Sequence, residues 1–289
     1  MTRALKSSAT EKVVDVYRSL RQFGYRVVGP LDYLTRALTG QQQLPPIHLR
    51  RHVGPLRSFE SSGVEFMTHL QQLCALRPDD SVLDVGCGCG QMALQLLHFL
   101  DARTGSYRGF DLHQPSINWC QRNIANRHSN FVFTYADIFS RAYNRGGQIA
   151  AAEYRFPFPS ESFALVIAKS VFTHMLPAAF ENYLNEIARA LAPSGRALLT
   201  FFLLNDEQRS REAAGMNQLQ FRFGDSPCRF VHASSPESAV AYDELFVLSV
   251  LQSHGLRLKA PIYYGSWSGN ADGLSFQDLL LVESALQEK

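Results

Sequence analysis

The sequence predicts an α/β fold in which a mostly parallel β-sheet is covered by helices on both faces. Short apolar runs alternate with helix-like segments from about residue 76 to residue 204, and such alternation is typical of a parallel sheet. The run Phe163 to Ala168 is apolar throughout, as expected for a strand buried on both faces. Pro177 to Leu191 is amphipathic and is followed by Pro193 and Gly195, which end helices.

The predicted elements follow one another in a regular order. Helical spacing of apolar residues at Val13, Val16, Tyr17 and Leu20, and again from Leu31 to Leu38, predicts an N-terminal helical segment, which ends before TGQQQLPPIHLRR. A further helix is predicted from Gly63 to Leu76. Beyond it we predict strands at Val82–Val85, Tyr107–Phe110, Phe131–Tyr135, Phe163–Ala168 and Ala197–Leu204, helices at Gln91–Leu100, Gln114–Asn126, Pro177–Leu191 and Tyr242–His254, and final apolar runs at Leu256–Tyr264 and Phe276–Val282.

The alternation lapses after Leu204, and residues 205–241 show no clear periodicity. A long irregular stretch inside a compact domain is usually a lid or a binding loop. We therefore expect residues 1–60 to form an N-terminal helical appendage or cap, and residues 61–289 to form the α/β domain with a lid-like insertion at about 205–241.

The composition excludes several classes of protein. A net charge of +2 and no basic run with interleaved aromatics argue against a nucleic-acid partner. The opening MTRALKSSAT lacks an apolar core, and no apolar run approaches the roughly 20 residues that span a bilayer. The five cysteines contain no CxxC pair, which argues against a disulfide framework and a structural zinc site. We expect a reduced, cytoplasmic protein without a membrane span.

The stretch SVLDVGCGCGQM places three glycines and two cysteines just after a predicted strand. A metal or redox site at Cys87 and Cys89 is one interpretation, but no second ligand pair lies nearby at zinc spacing. A dinucleotide loop is another, but its GxGxxG fingerprint differs from the spacing of Gly86, Gly88 and Gly90. A loop for a different nucleotide-like cofactor is the third.

The string DVGCGCG resembles the first motif of the class I S-adenosylmethionine-dependent methyltransferases. The resemblance implies S-adenosylmethionine as cofactor and S-adenosylhomocysteine as product. It places the backbone at Gly86, Cys87, Gly88 and Gly90 against the methionine part of the cofactor, where a side chain would collide. It also places Asp84 near the positively charged amino group of that cofactor.

Two later strand ends extend the resemblance. Asp111 ends the second strand, where the family has an acid that binds both ribose hydroxyls, with Leu112 beside it. Asp137 is expected to accept from the adenine amino group, Ile138 to pack on the ring, and Ala168 to complete the cofactor contacts.

The segment FPFPSESFALVIAKSVFTHM also resembles small-molecule methyltransferases, although Ala164 stands where they usually have Asp. The resemblance covers roughly Leu76 to Leu204. It implies a seven-stranded Rossmann-like sheet whose last strand, near Phe276 to Val282, is antiparallel.

The absence of two motifs narrows the class of methyl-transfer reaction that the sequence predicts. The residues after the fourth strand, Ala168-Lys169-Ser170-Val171, contain neither the [DN]PP[YF] motif of amino-methyltransferases nor a carboxylate for magnesium. We therefore predict a metal-independent transfer to a small acceptor, at oxygen. His174 is the candidate base, since an imidazole pKa of roughly 6.5 suits proton removal near neutrality. Its alternative role is to cap or pack against the helix near Pro177.

The acceptor is predicted to contact Arg51, Phe221, Arg222, Phe223 and Trp267, because arginines and aromatics suit an acceptor with an apolar body and an anionic group. The alternative is that these aromatics form a satellite core with solvent-facing arginines. Three other functions stay open: a catalytically silent cofactor-binding scaffold, an N-methyltransferase of a small amine, and a nucleotide-linked oxidoreductase. A homo-oligomer is left open.

Overall fold

The computed structural model describes residue 24 and residues 28–285 of the chain. Contacts within the chain define two units, Met1–Ser61 and Ser62–Lys289. The helical spacing predicted from Val13 to Leu20 lies outside the described residues.

In the first unit, helix α1 runs through residues 28–38 and is followed by the short helix α2 (Ile47–Arg50). Asp32 on α1 binds two arginines, accepting from Arg36 Nε at 2.9 Å and from the Arg50 guanidinium. Asp32 also accepts from the backbone N–H of Ile47 at 3.1 Å. This buried carboxylate therefore ties α1 to α2 and to the Pro-rich turn before it, where Leu44 is 5% exposed.

The second unit alternates strands and helices in the predicted order. Its strands are β1 (Ser81–Val85), β2 (Ser106–Asp111), β3 (Phe131–Tyr135), β4 (Phe163–Ala168), β5 (Leu191–Phe201), β6 (Leu203–Leu204), β7 (Cys228–Phe230), β8 (Val240–Asp243), β9 (Leu256–Leu258) and β10 (Asp278–Ser284). Its helices are α3 (Phe59–Gln72), which begins within the first unit, α4 (Gln91–Leu96), α5 (Gln114–Cys120), α6 (Pro177–Ala190), α7 (Asp206–Ala213) and α8 (Glu244–Ser253).

Seven of these strands form one sheet in the order β3-β2-β1-β4-β5-β10-β9. The first five are parallel, and β10 pairs antiparallel with both β5 and β9. The predicted seven-stranded sheet with an antiparallel last strand is thus confirmed. The apolar side chains of the central strands are buried on both faces, for example Leu83 and Val82 of β1, which lie in the two main core clusters.

Several boundaries differ from the prediction. Strand β5 begins at Leu191, directly after α6, because the segment around Pro193 and Gly195 continues as an extended strand with a register shift against β4. The predicted helix Gln91–Leu100 ends at Leu96, and the one predicted to reach Asn126 loosens into a wider turn over Gln121–Ala125.

Residues 205–241 are more regular than expected. They contain α7, whose first turn is capped by the Asn205 side chain accepting from the N–H groups of Glu207 and Gln208. They also contain β7, which joins β8 and β6 in a small three-stranded sheet. A third apolar cluster, made of Phe202, Leu204, Phe221, Ala241 and Trp267, packs beside that sheet. In the part of the chain that the structure describes, every helix is too short or too polar to span a bilayer.

Candidate cofactor and acceptor site

The glycine loop joins β1 to α4 and lies at the carboxyl end of the central strand. Gly86, Gly88 and Gly90 have φ of 71°, 54° and 80°, a region that side chains disfavour by roughly 1–2 kcal/mol. A Cβ on Gly86 would come within 2.8 Å of Val171 Cγ2. The N–H groups of Gly86 and Cys87 both donate to the Phe110 carbonyl at 3.0 Å. The loop is therefore tied to β2 and has no room for side chains at Gly86.

The cysteines of the loop do not form a reactive or metal-binding pair. Cys87 and Cys89 are 4% and 0% exposed, and burial raises the pKa of the Cys87 thiol well above its ordinary value. Among residue 24 and residues 28–285, no group of three or more His, Cys, Asp or Glu side chains is arranged to hold a metal ion. The cysteines act as small packing residues in a crowded turn.

Asp111 ends β2 and connects two turns of the site. Its Oδ2 accepts from the Gly88 N–H at 2.9 Å, and its Oδ1 accepts from the His113 N–H at 2.7 Å. Burial raises the pKa of Asp111, while the two N–H donors act in the opposite direction. The side chain remains partly exposed. Each carboxylate oxygen can accept two hydrogen bonds, so both retain acceptor capacity toward the cleft.

Asp137 follows β3 and is held by a neighbour on the same segment. Tyr135 Oη donates to Asp137 Oδ1 at 3.1 Å, and Asn144 Nδ2 donates to Tyr135 Oη at 3.0 Å. The backbone carbonyl of Asp137 accepts from the N–H groups of Gln148 and Ile149. Sequence reasoning did not include Tyr135 and Asn144, whose contacts depend on the return of the chain through residues 139–149.

Asp84 lies beneath the glycine loop. It is 3% exposed and accepts from Tyr107 Oη at 2.6 Å. Burial raises the pKa of Asp84 to about 7, and the hydroxyl of Tyr107 and the ammonium of Lys169 oppose that shift. The carboxylate thus supports the loop from the interior, and its contact with a cofactor amino group stays a prediction.

Lys169 was not among the predicted site residues, although it directly follows β4. Its Nζ donates to Ser62 O at 3.1 Å, to Ser62 Oγ at 2.8 Å and to Gln91 Oε1 at 2.7 Å. All three ammonium hydrogens are therefore used to tie α3 to the start of α4. Burial lowers the pKa of Lys169 to about 8.

His174 lies in a short turn after β4. Its Nδ1 is 2.9 Å from the Glu237 carbonyl, which can only accept, so Nδ1 carries the proton and the neutral ring leaves Nε2 as an acceptor. Burial lowers the pKa of His174 below its ordinary value. Tyr143 packs edge-on at 5.7 Å between ring centroids. The ring therefore does not cap α6, whose preceding residue Leu176 provides no side-chain cap either.

These groups lie at one edge of the sheet. The glycine loop, Asp111, Asp137 and His174 follow the carboxyl ends of β1, β2, β3 and β4, which are adjacent and parallel. Ligands of open α/β sheets bind at this edge, near the point where the strand order reverses between β1 and β4.

Comparison with known proteins agrees with this geometry. Residues 83–199 match a family model described as a methyltransferase domain. A fatty-acid O-methyltransferase of Mycolicibacterium smegmatis is 33% identical over 121 residues, which are 41% of this chain and 36% of that protein. The chain spans between about a third and a half of the length of the curated relatives it matches.

Solved structures share the fold at low sequence identity. The PH0226 protein of Pyrococcus horikoshii aligns with a TM-score of 0.53 at 17% identity, over 78% of this chain and 91% of its own. A 1,6-didemethyltoxoflavin-N1-methyltransferase of Burkholderia thailandensis, solved with bound 1,6-didemethyltoxoflavin and S-adenosylhomocysteine, aligns with a TM-score of 0.50 at 15% identity, over 91% of this chain and 89% of its own.

Residues 83–199 thus match a methyltransferase domain, and the comparisons support a class I S-adenosylmethionine-dependent methyltransferase. S-adenosylmethionine is the cofactor of this family, and the residues present fit it. The glycine loop offers a backbone surface without a side chain at Gly86. Each carboxylate oxygen of Asp111 accepts one backbone hydrogen bond and can accept another, as a ribose diol requires. Asp137 accepts from Tyr135 with Oδ1, and its Oδ2 has no donor among the residues that the structure describes.

The structure places some of the predicted cofactor residues in the core. Ile138 and Ala168 are 2% and 0% exposed and belong to the main core cluster, and their contact with a cofactor stays a prediction. Leu112 is partly buried and packs against the same core. Side-chain direction alternates along a strand, and the sequence does not show which face the residues at a strand end take.

The predicted acceptor residues separate into three groups. Phe221 and Trp267 are both 0% exposed and pack on Phe202, so the satellite-core alternative is correct for these two. Arg222 and Phe223 line a shallow surface groove of about 340 Å³. Arg51 lies just after α2 in the first unit and is partly buried. Contact between substrate and Arg51, Arg222 or Phe223 stays a prediction.

Proposed function

We propose that this protein transfers a methyl group from S-adenosylmethionine to a hydroxyl oxygen of a small molecule, without a metal ion, and that His174 is the base. The single observation that carries the proposal is the bond from His174 Nδ1 to the Glu237 carbonyl. It fixes the tautomer in which Nε2 accepts a proton. The same ring lies at the carboxyl edge of the sheet, next to the predicted cofactor residues.

In the proposed reaction, the cofactor supplies a methyl group already activated by its sulfonium. Asp111 and Asp137 hold the nucleoside, and the backbone around Gly86 receives the methionine part. Nε2 of His174 accepts the proton of the acceptor hydroxyl, whose oxygen would take the methyl group as the bond from that carbon to sulfur breaks and S-adenosylhomocysteine leaves. Alignment of the two reactants supplies a large part of the rate, on the order of 7–11 kcal/mol for well-oriented groups. The lowered pKa of His174 keeps the ring neutral and able to accept at neutral pH.

Two further facts support this proposal. The residues that follow β4, Lys169 to Val171, contain no carboxylate that could bind magnesium. The curated relative in Mycolicibacterium smegmatis is named as a methyltransferase that acts on oxygen. We also propose a cytoplasmic location and no nucleic-acid partner, from the sequence alone.

The proposal is tested with the purified full-length chain in two steps. S-adenosylhomocysteine is titrated calorimetrically, and then transfer of a labelled methyl group from S-adenosylmethionine is measured with a panel of phenols, aliphatic alcohols, long-chain fatty acids and primary amines. We expect binding, and turnover of hydroxyl compounds that falls at least 100-fold in His174→Gln. A carboxylate needs no base, so the panel separates the two oxygen classes.

Three results contradict the proposal in different ways. Absence of S-adenosylhomocysteine binding contradicts the proposed cofactor site itself. Binding with turnover of amines alone reassigns the reaction to nitrogen. Turnover of hydroxyl compounds that is unchanged in His174→Gln contradicts the role of His174 as the base but not the proposed cofactor site.

A further inference from the structure

The side-chain amide of Gln277 is held in one orientation where β4, β5 and β10 meet. Its Oε1 accepts from Ser170 Oγ at 2.9 Å and from Thr200 Oγ1 at 2.6 Å. Thr200 Oγ1 in turn accepts from the Ser170 N–H at 2.7 Å. Three segments that lie 30 to 107 residues apart in the chain thus meet at one amide oxygen.

The nitrogen of the same amide has no hydrogen-bond partner among the residues that the structure describes. It is also not among their buried polar atoms that lack a partner, and Gln277 is partly exposed. In the structure Oε1 accepts from both hydroxyl groups. Nε2 is therefore the end of the amide whose two N–H donors are left for a ligand.

The backbone at Ser170 is strained in order to make this arrangement. Ser170 has a φ of 57°, which is rare for a residue with a side chain. Such strain concentrates at sites that bind ligands. Both polar groups of Ser170 that the conformation exposes, its N–H and its Oγ, are used to position Thr200 and Gln277.

The amide lies at the edge of the sheet that also carries the glycine loop. Ser170 is followed by Val171, whose Cγ2 is the atom that closes the space at Gly86 in the glycine loop. On the other side, Asp278 pairs with Phe201 at the carboxyl end of β5. Gln277 is thus at the same sheet edge as the glycine loop and His174, and it directly precedes β10, two strands beyond β4.

The charge around the amide favours a neutral ligand group. The next residue, Asp278, has a buried carboxyl group that accepts from the N–H groups of Leu203 and Gly265 and from Trp267 Nε1. The Lys169 ammonium has all three hydrogens bonded elsewhere. An uncharged amide with two N–H donors, near a Lys169 whose three hydrogens are already bonded, suits a neutral carbonyl oxygen better than an anion.

We propose that Gln277 Nε2 donates to a neutral carbonyl oxygen of the methyl acceptor and so selects hydroxyl compounds that carry a carbonyl group. Ser170 and Thr200 are positioning residues that act through Gln277. This inference rests on the proposed function, because it concerns the acceptor of the same site. It narrows that acceptor to a hydroxy-carbonyl compound.

The test compares two phenols of similar size, 4-hydroxyacetophenone and 4-ethylphenol, of which only the first has a carbonyl. Their dissociation constants are measured with the full-length protein saturated with S-adenosylhomocysteine, by ligand-observed NMR titration. We expect the wild type to bind the carbonyl compound roughly three- to tenfold more tightly, as one neutral hydrogen bond allows. Gln277→Leu should remove this preference, Gln277→Glu should reverse it, and Thr200→Val should reduce it.

Gln252→Leu serves as the matched control, since Gln252 is exposed on α8, and it should keep the wild-type preference. S-adenosylhomocysteine should bind all variants with unchanged affinity, which shows that each is folded. If the wild type binds both phenols equally or neither, or if Gln277→Leu keeps the preference, the inference is wrong. Failure to bind S-adenosylhomocysteine would instead overturn the proposed function.

Discussion

Replacing Asp111 by Asn tests the cofactor site at the residue that connects two of its turns. The substitution keeps the size of the side chain but turns one acceptor oxygen into an NH₂ donor. In the wild type, the N–H groups of Gly88 and His113 donate to Oδ2 and Oδ1 at 2.9 and 2.7 Å. In the variant, the NH₂ group faces the Gly88 N–H in one orientation and the His113 N–H in the other. Either way, one loop bond is lost and one oxygen no longer accepts from a ribose hydroxyl.

The magnitude follows from these contacts. A hydrogen bond to a charged group contributes about 1.5–3 kcal/mol, so losing the ribose contact should weaken S-adenosylhomocysteine binding by about 10- to 150-fold. The free energy of unfolding should fall by less than the loss of the loop hydrogen bond alone would cause. Burial raises the pKa of Asp111, which means that the ionised carboxylate is itself costly there and that a neutral Asn regains part of that cost.

The assay is calorimetric titration of S-adenosylhomocysteine into the wild type, Asp111→Asn and the control Asp101→Asn. Asp101 also accepts from two backbone N–H groups, those of Arg103 and Thr104, but it precedes β2 and so lies toward the opposite edge of the sheet. The control should bind like the wild type. A folded Asp111→Asn variant whose affinity stays within twofold of the wild type would refute the assignment of Asp111 to the ribose.

Three further predictions follow from single contacts. Burial lowers the pKa of His174, so kcat/KM for a hydroxyl acceptor should not change with pH around neutrality and should fall only below a pH of about 6.5. The His174→Gln variant should not show this fall at acidic pH. Lys169→Met removes the ammonium that donates to Ser62 and Gln91 and should lower the free energy of unfolding in urea by about 1–3 kcal/mol. Lys259→Met, at a half-exposed ion pair, should lower it by at most about 1 kcal/mol. Gly86→Ala should weaken S-adenosylhomocysteine binding at least tenfold because its φ is 71° and Val171 blocks the Cβ, while Gly146→Ala, with open space around it, should not.

The parts of the site that depend on local sequence were predictable. Glycine spacing after an apolar run located the loop at Gly86 to Gly90, and an acid at the end of the next strand located Asp111. Both features are properties of a few consecutive residues, and parallel pairing then brings strand ends together at one edge. The antiparallel last strand came from resemblance to a family, since the run Phe276 to Val282 does not itself show the direction of pairing.

The parts that depend on tertiary contacts were not predictable in the same way. Phe221 and Trp267 could equally line a cleft or fill a core, and only their packing on Phe202 decides between the two. Helix α7 was missed because its sequence DEQRSREA has no apolar face. Its start was nevertheless marked by Asn205, followed by two acids in the first turn, which is a helix start signal that hydrophobic periodicity does not report.

The segment after β4 shows why the site needs contacts that no local pattern encodes. Lys169 binds α3 and α4, Ser170 positions Gln277, Val171 closes the space at the glycine loop, and His174 takes its tautomer from a carbonyl 63 residues away. Residues of one short turn thus contact different parts of the site. This requires an unusual backbone conformation, and Ser170 has the positive φ that provides it. A strained turn persists only where its surroundings determine it fully. Since Lys169, Ser170 and His174 bond to different segments of the fold, this turn is held in a fixed position beside the glycine loop.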